Sequence, residues 1–436
     1  MQLGLIGIFL LIANLIICNK SPYGILYYLI FSLISPEIKL GSLSLSYNIL
    51  AFLPVVFYYL TKQRSIVIRN LLMLPIFFGL QSIISTLFSF LDSGLAPNLI
   101  ALFGVFRFVV SLILLSDIQR MEKHTFHKAF FYVTLINFIL SIVQITVPSS
   151  VPFFYDLYWK PSMTPLQTSL DLGRFTRAVG TFATPTVLGA YSLISFSIFY
   201  FEMRDNKFSY FNIVGVVMSV ICGLLALSKI FIIGLPILLL IALFVNLLNL
   251  KKCLHINMRF WGLIILIAFL GYIIIGELEE AEIPIKWYLN YILHPLEAFD
   301  TRYNSEVGGN LVDLKIVIEN NLFIGVGEVM NNNVFVGDSS FFVILYSVGI
   351  IGFSFLALYW GIILWLNLRV LKLSSSHFYV LLSLLLIFTG ANVFASPLGI
   401  LASVYAFIPL KDKIKSVIIN FDKVRFCLLY TSDAAD

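Results

Sequence analysis

Residues 341–366 have the sequence FFVILYSVGIIGFSFLALYWGIILWL, in which no side chain carries a charge. A helix of about 20 such residues is long enough to cross the hydrocarbon core of a bilayer. Similar runs recur along the 436-residue chain, which is 60% hydrophobic and only 12% charged. Soluble domains carry about 25% charged residues. The composition therefore excludes a soluble enzyme, and the high hydrophobicity excludes a disordered chain.

The apolar runs predict an all-α polytopic membrane protein with about 12–13 transmembrane helices. Residues 1–426 form a single integral-membrane domain in this prediction. The predicted spans are 3–18, 22–36, 45–61, 71–91, 98–116, 129–147, 184–202, 211–228, 230–250, 260–276, 341–366 and 378–396, with a shorter apolar piece at 398–410.

The distribution of basic residues predicts which loops face the cytoplasm. Lys and Arg concentrate in one set of short loops, and cytoplasmic loops carry such an excess. The opposite, outward-facing set contains two long segments, about 148–183 and 277–338. Apolar residues at 311–318 predict that the larger segment is partly helical. Loops of this length are usually functional or disordered, and these two are not low in complexity, so we expect the working surface to face outward.

The end of the chain is treated separately. Residues 427–436, with the sequence CLLYTSDAAD, resemble a translated sequencing adapter. We interpret them as an adapter-derived, non-native tail, with a short natural tail as the alternative. This stretch is left out of the fold prediction.

Two arginines precede the span at 184–202. Arg174 and Arg177 are three residues apart, and Gly180 and Pro185 follow where the backbone must turn into the helix. Arginine binds phosphate oxygens through two parallel hydrogen bonds and stays charged at any working pH. Phosphate binding is therefore one interpretation, and anchoring to lipid headgroups is the other.

The larger outer segment contains a second set of polar candidates. Arg302 comes first, the Gly325-Val-Gly327 stretch follows, and Asp338 precedes the span at 341–366. Asp338 could orient or deprotonate a sugar hydroxyl, or it could cap the helix, which is the commoner role at this position. The two glycines do not predict a dinucleotide site, because no strand precedes them.

Two further cations lie in or beside predicted spans. Arg107 is near the middle of the 98–116 span, where a charge is costly unless it is paired or hydrated. It is either a functional residue or half of a structural ion pair. Lys229 lies in the short outward turn between two spans, where reaching toward the lipid headgroups is the plainest explanation.

The sequence predicts no metal and no cofactor. The cysteines have no paired spacing, and the acidic patch at 277–282 contains no histidine, so we interpret it as a solvated face with a divalent-cation site as the less favoured alternative. The net charge of +5 follows from basic residues next to the membrane. It gives no reason to expect nucleic acid as a partner.

Taken together, these sequence features resemble those of the superfamily of O-antigen ligases and Wzy-type O-antigen polymerases. The matching features occur in the order expected for that family. They are residues 177–185 (RAVGTFATP) with Gly189, 227–229 (LSK), Arg302, 325–327 (GVG), 338–341 (DSSF) and 349–352 (GIIG).

This resemblance implies a multi-pass protein of the bacterial cytoplasmic (inner) membrane. Its substrates would be undecaprenyl-pyrophosphate-linked oligosaccharides, and its other partners membrane lipids and a chain-length regulator protein. Arg177, Arg302 and Lys229 would hold the pyrophosphate, with Arg174 nearby and Arg107 contributing from inside the bundle. Asp338 would orient or deprotonate the acceptor hydroxyl. The product would be O-antigen, capsule or another exopolysaccharide.

Ligases of the superfamily usually carry His-Asn where this chain has Asp338-Ser339. This departure favours a polymerase over a ligase. The ligase alternative would use the same lipid-linked donor as the polymerase, but its acceptor would be a lipid-A core or a protein. A flippase or transporter of lipid-linked sugars is the alternative from another class. It is disfavoured because no inverted repeat is visible.

Overall fold

The computed structural model describes residues 2–20, 23–35, 37–40, 43–62, 65–117, 123–158, 164–182, 184–205, 209–248, 321–330, 338–370, 375–413 and 416–420. The helices are α1 (Gln2–Lys20), α2 (Gly24–Ile34), α3 (Tyr47–Lys62), α4 (Met73–Ser93), α5 (Leu99–Asp117), α6 (Lys123–Thr146), α7 (Val151–Tyr158), α8 (Thr164–Leu172), α9 (Pro185–Asp205), α10 (Tyr210–Leu225), α11 (Lys229–Leu248), α12 (Ser340–Val370), α13 (Ser376–Phe388) and α14 (Pro397–Phe407). The strands are β1 (Glu37–Leu40), β2 (Leu43–Ser46), β3 (Ser65–Arg69) and β4 (Ser416–Asn420).

The helical class predicted from the apolar runs is confirmed. Each predicted span contains a helix, except 260–276, which lies outside the described residues. The helices at Asn70–Ser93, Thr125–Thr146, Pro185–Met203 and Ser340–Leu368 are long and apolar enough to cross a membrane. The other apolar helices are shorter. This architecture is consistent with a helical membrane protein, while the number of crossings and their direction stay predictions.

Helix α9 is the most deeply buried of the candidate spans. It packs against α6, α10, α11 and α13. Its serines at 192, 195 and 197 are fully buried, and Ser197 shares a 2.7 Å hydrogen bond with Ser383 of α13. Small hydroxyl side chains allow membrane helices to approach closely and to bond across the interface, which explains a helix that is buried on all sides.

The first long loop, predicted at 148–183, is folded against the helices. Helices α7 and α8 enclose a small apolar core of their own, to which Phe154 and Leu166 belong. The Tyr158 hydroxyl donates a 3.2 Å hydrogen bond to the Ile34 carbonyl at the end of α2. The second loop, predicted at 277–338, falls outside the described residues except for 321–330 and Asp338.

The chain after α12 differs from the predicted span at 378–396. Helix α13 ends at Phe388, and α14 begins only at Pro397, because Ser396 is extended before the proline ring. With 13 and 11 residues, the two helices are about 20 Å and 17 Å long. Neither reaches the roughly 30 Å of a bilayer core. We call α13, α14 and the residues 389–396 between them the α13–α14 hairpin.

None of the four strands listed above was predicted from the sequence. Strands β1 and β2 pair antiparallel, with Glu37 opposite Ser46. Strand β3 pairs antiparallel with β4, with Arg69 opposite Ser416. The second pairing joins the connection between α3 and α4 to the chain that follows α14, two stretches whose basic residues assign them to the same face.

Candidate functional site

The backbone around residues 177–182 is held by a buried glutamine of α6. The Gln144 Oε1 atom accepts hydrogen bonds from the amides of Val179 at 3.0 Å and Gly180 at 2.9 Å. Its Nε2 atom donates to the Gly180 carbonyl at 3.1 Å. Because buried backbone groups need partners, this single side chain fixes the turn that leads from the outer loop into α9.

A second amide of α6 explains why the motif contains a glycine. The Asn137 Oδ1 atom accepts a 2.9 Å hydrogen bond from the Thr181 amide. Gly180 has a φ of +56°, and a Cβ atom there would overlap Asn137 Oδ1. Only glycine accommodates both the left-handed backbone and this close approach. The assignment of Gly180 and Pro185 as structural residues agrees with this geometry, since Pro185 is the first residue of α9.

Arg177 binds the turn between α10 and α11. Its Nε atom donates to the Ala226 carbonyl at 3.1 Å, and its Nη2 atom donates to the Leu227 carbonyl at 3.0 Å. Leu227 has a left-handed φ of +45°, as is common where a helix ends. The guanidinium therefore satisfies carbonyl groups that the end of α10 leaves without partners.

Lys229 follows this turn directly as the first residue of α11, a helix whose first turn contains no acidic residue. The turn also packs tightly on α9, because a Cβ atom at Gly189 would overlap the Ser228 side chain. The structure thus places Arg177 against the short turn that Lys229 follows; their joint role in binding pyrophosphate stays a prediction. We call residues 226–229 together with Arg177 the cationic turn.

Arg174 lies on the outer loop before the cationic turn. Gly173, with a φ of +65°, ends α8, and the Arg174 side chain is exposed. Phe175 is buried, and its ring meets that of Phe154 edge-on at 5.8 Å. Anchoring of Phe175 in the loop core explains why Arg174 faces solvent while Arg177 faces α10.

Arg107 belongs to a different group of helices. It is 8% exposed, and its Nη2 atom donates a 2.7 Å hydrogen bond to the Ala395 carbonyl in the α13–α14 hairpin. Its Nε atom has no hydrogen-bond partner among the described residues. The sequence allowed a carboxylate partner, but within the described part of the chain a carbonyl takes that place.

Asp338 precedes α12 and its side chain is exposed. The two serines after it attach the start of α12 to the α13–α14 hairpin. Ser339 donates a 2.9 Å hydrogen bond to the Phe388 carbonyl, and Ser340 donates a 2.7 Å hydrogen bond to the Ala391 carbonyl. These two bonds hold the backbone that follows Asp338 against residues 388–391 of the α13–α14 hairpin.

Gly325 and Gly327 lie in residues 321–330, which we call the docking segment. Both have a φ of +79°. A Cβ atom at Gly325 would be 2.7 Å from the Ser347 carbonyl carbon, and one at Gly327 would be 2.5 Å from the Thr86 amide nitrogen. The segment therefore presses against the backbones of α12 and α4, which explains the Gly-x-Gly spacing.

Helix α12 is interrupted where the docking segment meets it. Gly349 has non-helical angles of φ 63° and ψ −171°. The amides of Val326 and Gly327 donate to the carbonyls of Tyr346 at 2.8 Å and Ser347 at 2.7 Å. The Ile350 amide donates to the Leu322 carbonyl at 2.9 Å. These bonds replace those that the break removes from the helix.

The docking segment carries a carboxylate that the sequence reasoning overlooked. The Glu328 side chain is largely buried and lies beside Ser347, whose hydroxyl donates a 2.7 Å hydrogen bond to the Val343 carbonyl. Burial raises the pKa of the Glu328 carboxyl, and the neighbouring Ser347 hydroxyl partly opposes this change. The sequence signal that could have revealed Glu328 is its place directly after Gly327, in a segment with no other charged residue.

A second buried polar cluster lies at the other end of the helices. The His127 ring nitrogen and the Ser376 hydroxyl lie 2.9 Å and 3.0 Å from the Tyr405 hydroxyl. Ser376 also donates to the Glu202 carboxylate at 3.3 Å, and His127 lies 4.0 Å from that carboxylate. The cluster links α6, α9, α13 and α14, and its members satisfy one another.

The predicted site is therefore described only in part. Arg302 and the acidic patch at 277–282 lie outside the described residues, so the convergence of Arg302 with Arg177 stays a prediction. Arg107 and the two serines after Asp338 bond to the α13–α14 hairpin. Among the residues that the structure describes, no group of three His, Cys, Asp or Glu side chains could hold a metal ion.

The chain matches no protein-family model, no curated protein and no solved structure. The resemblance to O-antigen polymerases and ligases consequently depends on the sequence motifs alone.

Proposed function

We propose that the chain is a polysaccharide polymerase of the Wzy type, acting on the outer face of the bacterial cytoplasmic membrane. It would join undecaprenyl-pyrophosphate-linked oligosaccharide repeat units by inverting, metal-independent glycosyl transfer. A hydroxyl of one repeat unit attacks the anomeric carbon of the growing chain. The bond from that carbon to the pyrophosphate breaks, and undecaprenyl pyrophosphate leaves.

The cationic turn is the observation that carries this proposal. The amino end of a helix carries partial positive charge, which favours a bound anion. Lys229 is the first residue of α11, and the Arg177 guanidinium binds the turn that precedes it. Positive charge from the helix end, the lysine and the arginine is therefore concentrated at one turn. A pyrophosphate at the membrane boundary has the required charge.

The remaining residues take supporting roles in the proposal. Arg174 and Arg302 add positive charge from the outer loops, and Arg107 contributes from within the bundle. Asp338 orients the acceptor hydroxyl. Pyrophosphate leaves readily once its charge is held, so positioning and electrostatic stabilisation would supply most of the catalysis.

A deletion strain tests the proposal through the length of its polysaccharide on gels. Loss of every band above one repeat unit, restored by the full chain, is the expected result. A normal ladder that stays unattached to its acceptor would instead identify a ligase. A ladder unchanged by the deletion would refute both assignments.

Substitution by lysine tests the two arginines. Arg177→Lys and Arg302→Lys should both impair polymerisation, because an ammonium cannot reproduce the two-pronged geometry of a guanidinium. Since Arg177 also binds the end of α10, the thermal stability of that variant must be measured beside its activity. Wild-type polymerisation by both variants would remove these residues from the mechanism.

A transporter of lipid-linked sugars is the second candidate, and one feature favours it. Arg107 is buried against the α13–α14 hairpin, and α12 is interrupted at Gly349. Buried charges and broken helices also occur in secondary transporters. Vesicles containing the full chain and lipid-linked single repeat units distinguish the candidates. Polymerisation supports the enzyme, whereas movement of the lipid between leaflets without elongation supports the transporter.

A further inference from the structure

The backbone of Glu328 is fixed on both sides. Its amide donates a 2.9 Å hydrogen bond to the Thr86 hydroxyl of α4. Its carbonyl accepts a 2.8 Å hydrogen bond from the Asn98 amide just before α5. The preceding Gly327 is pressed against the Thr86 backbone. The backbone of residue 328 is therefore held between α4 and the start of α5.

The Glu328 side chain lies beside the break in α12. It lies next to Ser347, whose carbonyl accepts a 2.7 Å hydrogen bond from the Gly327 amide. Non-helical backbone is tolerated in a membrane protein where it is buried in protein or lines a cavity. Interrupted helices of this kind commonly frame substrate sites. A carboxylate beside such a break is therefore in a place suited to chemistry.

The charge of Glu328 has no partner of opposite sign in the described part of the chain, where no lysine or arginine forms an ion pair with it. A buried carboxylate without a cation is costly, and glutamine could fill the same space without that cost. Burial raises the pKa of Glu328, which makes its carboxylate a better proton acceptor. Residue 328 as a whole keeps part of its surface exposed.

We propose, on the basis of the polymerase function above, that Glu328 is the general base of the glycosyl transfer. Its carboxylate accepts the proton of the acceptor sugar hydroxyl while that oxygen forms a bond to the anomeric carbon. The bond between this carbon and the pyrophosphate oxygen breaks, and its electron pair leaves with undecaprenyl pyrophosphate. Glu328 then releases the proton to water. Asp338, which is exposed, orients the acceptor rather than deprotonating it.

The test uses Glu328→Gln, which keeps the shape and removes the basic group, and Glu328→Asp, which keeps the carboxylate at a shorter reach. Asp92→Asn, at an exposed position near the end of α4, is the matched control for loss of an outer carboxylate. The full chain is placed in proteoliposomes with lipid-linked single repeat units extracted from the deletion strain, and the initial rate of elongation is followed across a pH series.

Glu328→Gln should lower the rate about 100-fold or more, as loss of a general base does. Glu328→Asp should retain part of the activity, and Asp92→Asn should match the wild type. The wild-type rate should fall tenfold per pH unit below the pKa of Glu328, and this acidic decline should be absent from the residual rate of Glu328→Gln. A purely structural role for Glu328 would lower the rate without changing the shape of the pH profile.

Glu328→Gln activity within threefold of the wild type, or an unchanged acidic decline in that variant, would overturn the assignment. The thermal stability of both variants is measured in the same detergent. If Glu328→Asp and Glu328→Gln lower the melting temperature equally and lose the same activity, that result also counts against a general base. Failure of the wild-type chain to elongate the lipid-linked units would instead refute the polymerase function itself.

Discussion

Replacing Gly327 by alanine tests whether the docking segment lies against α4. The added Cβ atom would be 2.5 Å from the Thr86 amide nitrogen, and a backbone atom cannot move aside by changing rotamer. A positive φ costs an L-residue about 1–2 kcal/mol, and forcing an extra carbon into a packed site adds about 1–3 kcal/mol. Gly327→Ala should therefore destabilise the protein by about 2–5 kcal/mol in total.

Alanine substitutions at two other glycines separate the backbone cost of a positive φ from the cost of the close contact with α4. Gly94 has a φ of +66° with no described atom within 4 Å of an added Cβ, so Gly94→Ala should cost only the backbone term of about 1–2 kcal/mol. Gly361, within α12, also has open space, and Gly361→Ala should stabilise the helix by about 0.5–1 kcal/mol. Apparent melting temperatures of the full chain in one detergent should rank Gly327→Ala lowest and Gly361→Ala highest. Equal values for Gly327→Ala and Gly94→Ala would refute the close contact with α4.

Three further predictions follow from single side chains. Gln144→Leu removes three hydrogen bonds from buried backbone and should lower the unfolding free energy by about 3 kcal/mol or more, measured by thermal unfolding in detergent. Ser340→Ala leaves the Ala391 carbonyl and the Val393 amide without this partner. The change should increase protease cleavage within residues 389–396, or the labelling of a cysteine introduced there. Burial raises the pKa of Tyr158 to about 12, from an ordinary value of 10.0, so its stabilising contribution is complete below about pH 10 and is lost as the pH rises through 12. Tyr158→Phe should weaken this alkaline destabilisation, which melting curves and tyrosinate absorbance will show; identical alkaline profiles would contradict it.

The positions of the helices could be predicted because a segment that crosses lipid must be apolar along its whole length. A run of about 20 apolar residues has few alternatives to a helix when no water is present to satisfy the backbone. The break after Phe388 was missed because residues 389–396 contain no charge and continue an uncharged stretch, although Gly390 and Asn392 are turn residues that could have marked it. The strands were missed for a different reason, since strand pairing depends on a partner that is distant in the chain.

The candidate site was predictable where neighbouring residues form it. Arg177 and Gly180 lie in one motif, and the Ser228-Lys229 turn resembled a known pattern, so their proximity could be expected. The amides of Asn137 and Gln144 could not be assigned, because a polar residue within an apolar run does not indicate which backbone it will bind. Glu328 escaped notice because its importance depends on the break in α12 and on Thr86, which only the folded chain brings beside it.

The pairing of β3 with β4 also determines the order in which the protein can be completed. Strand β3 follows α3 and is synthesised early, whereas its partner, at Ser416–Asn420, is among the last described residues to leave the ribosome. Until then the edge of β3 has unpaired backbone groups on the face assigned to the cytoplasm. The two strands can therefore pair only after residue 420 has been synthesised. A chain that stops before residue 416 would insert its helices but would lack this closure, so a fusion or truncation upstream of that point should shorten the lifetime of the protein in the cell.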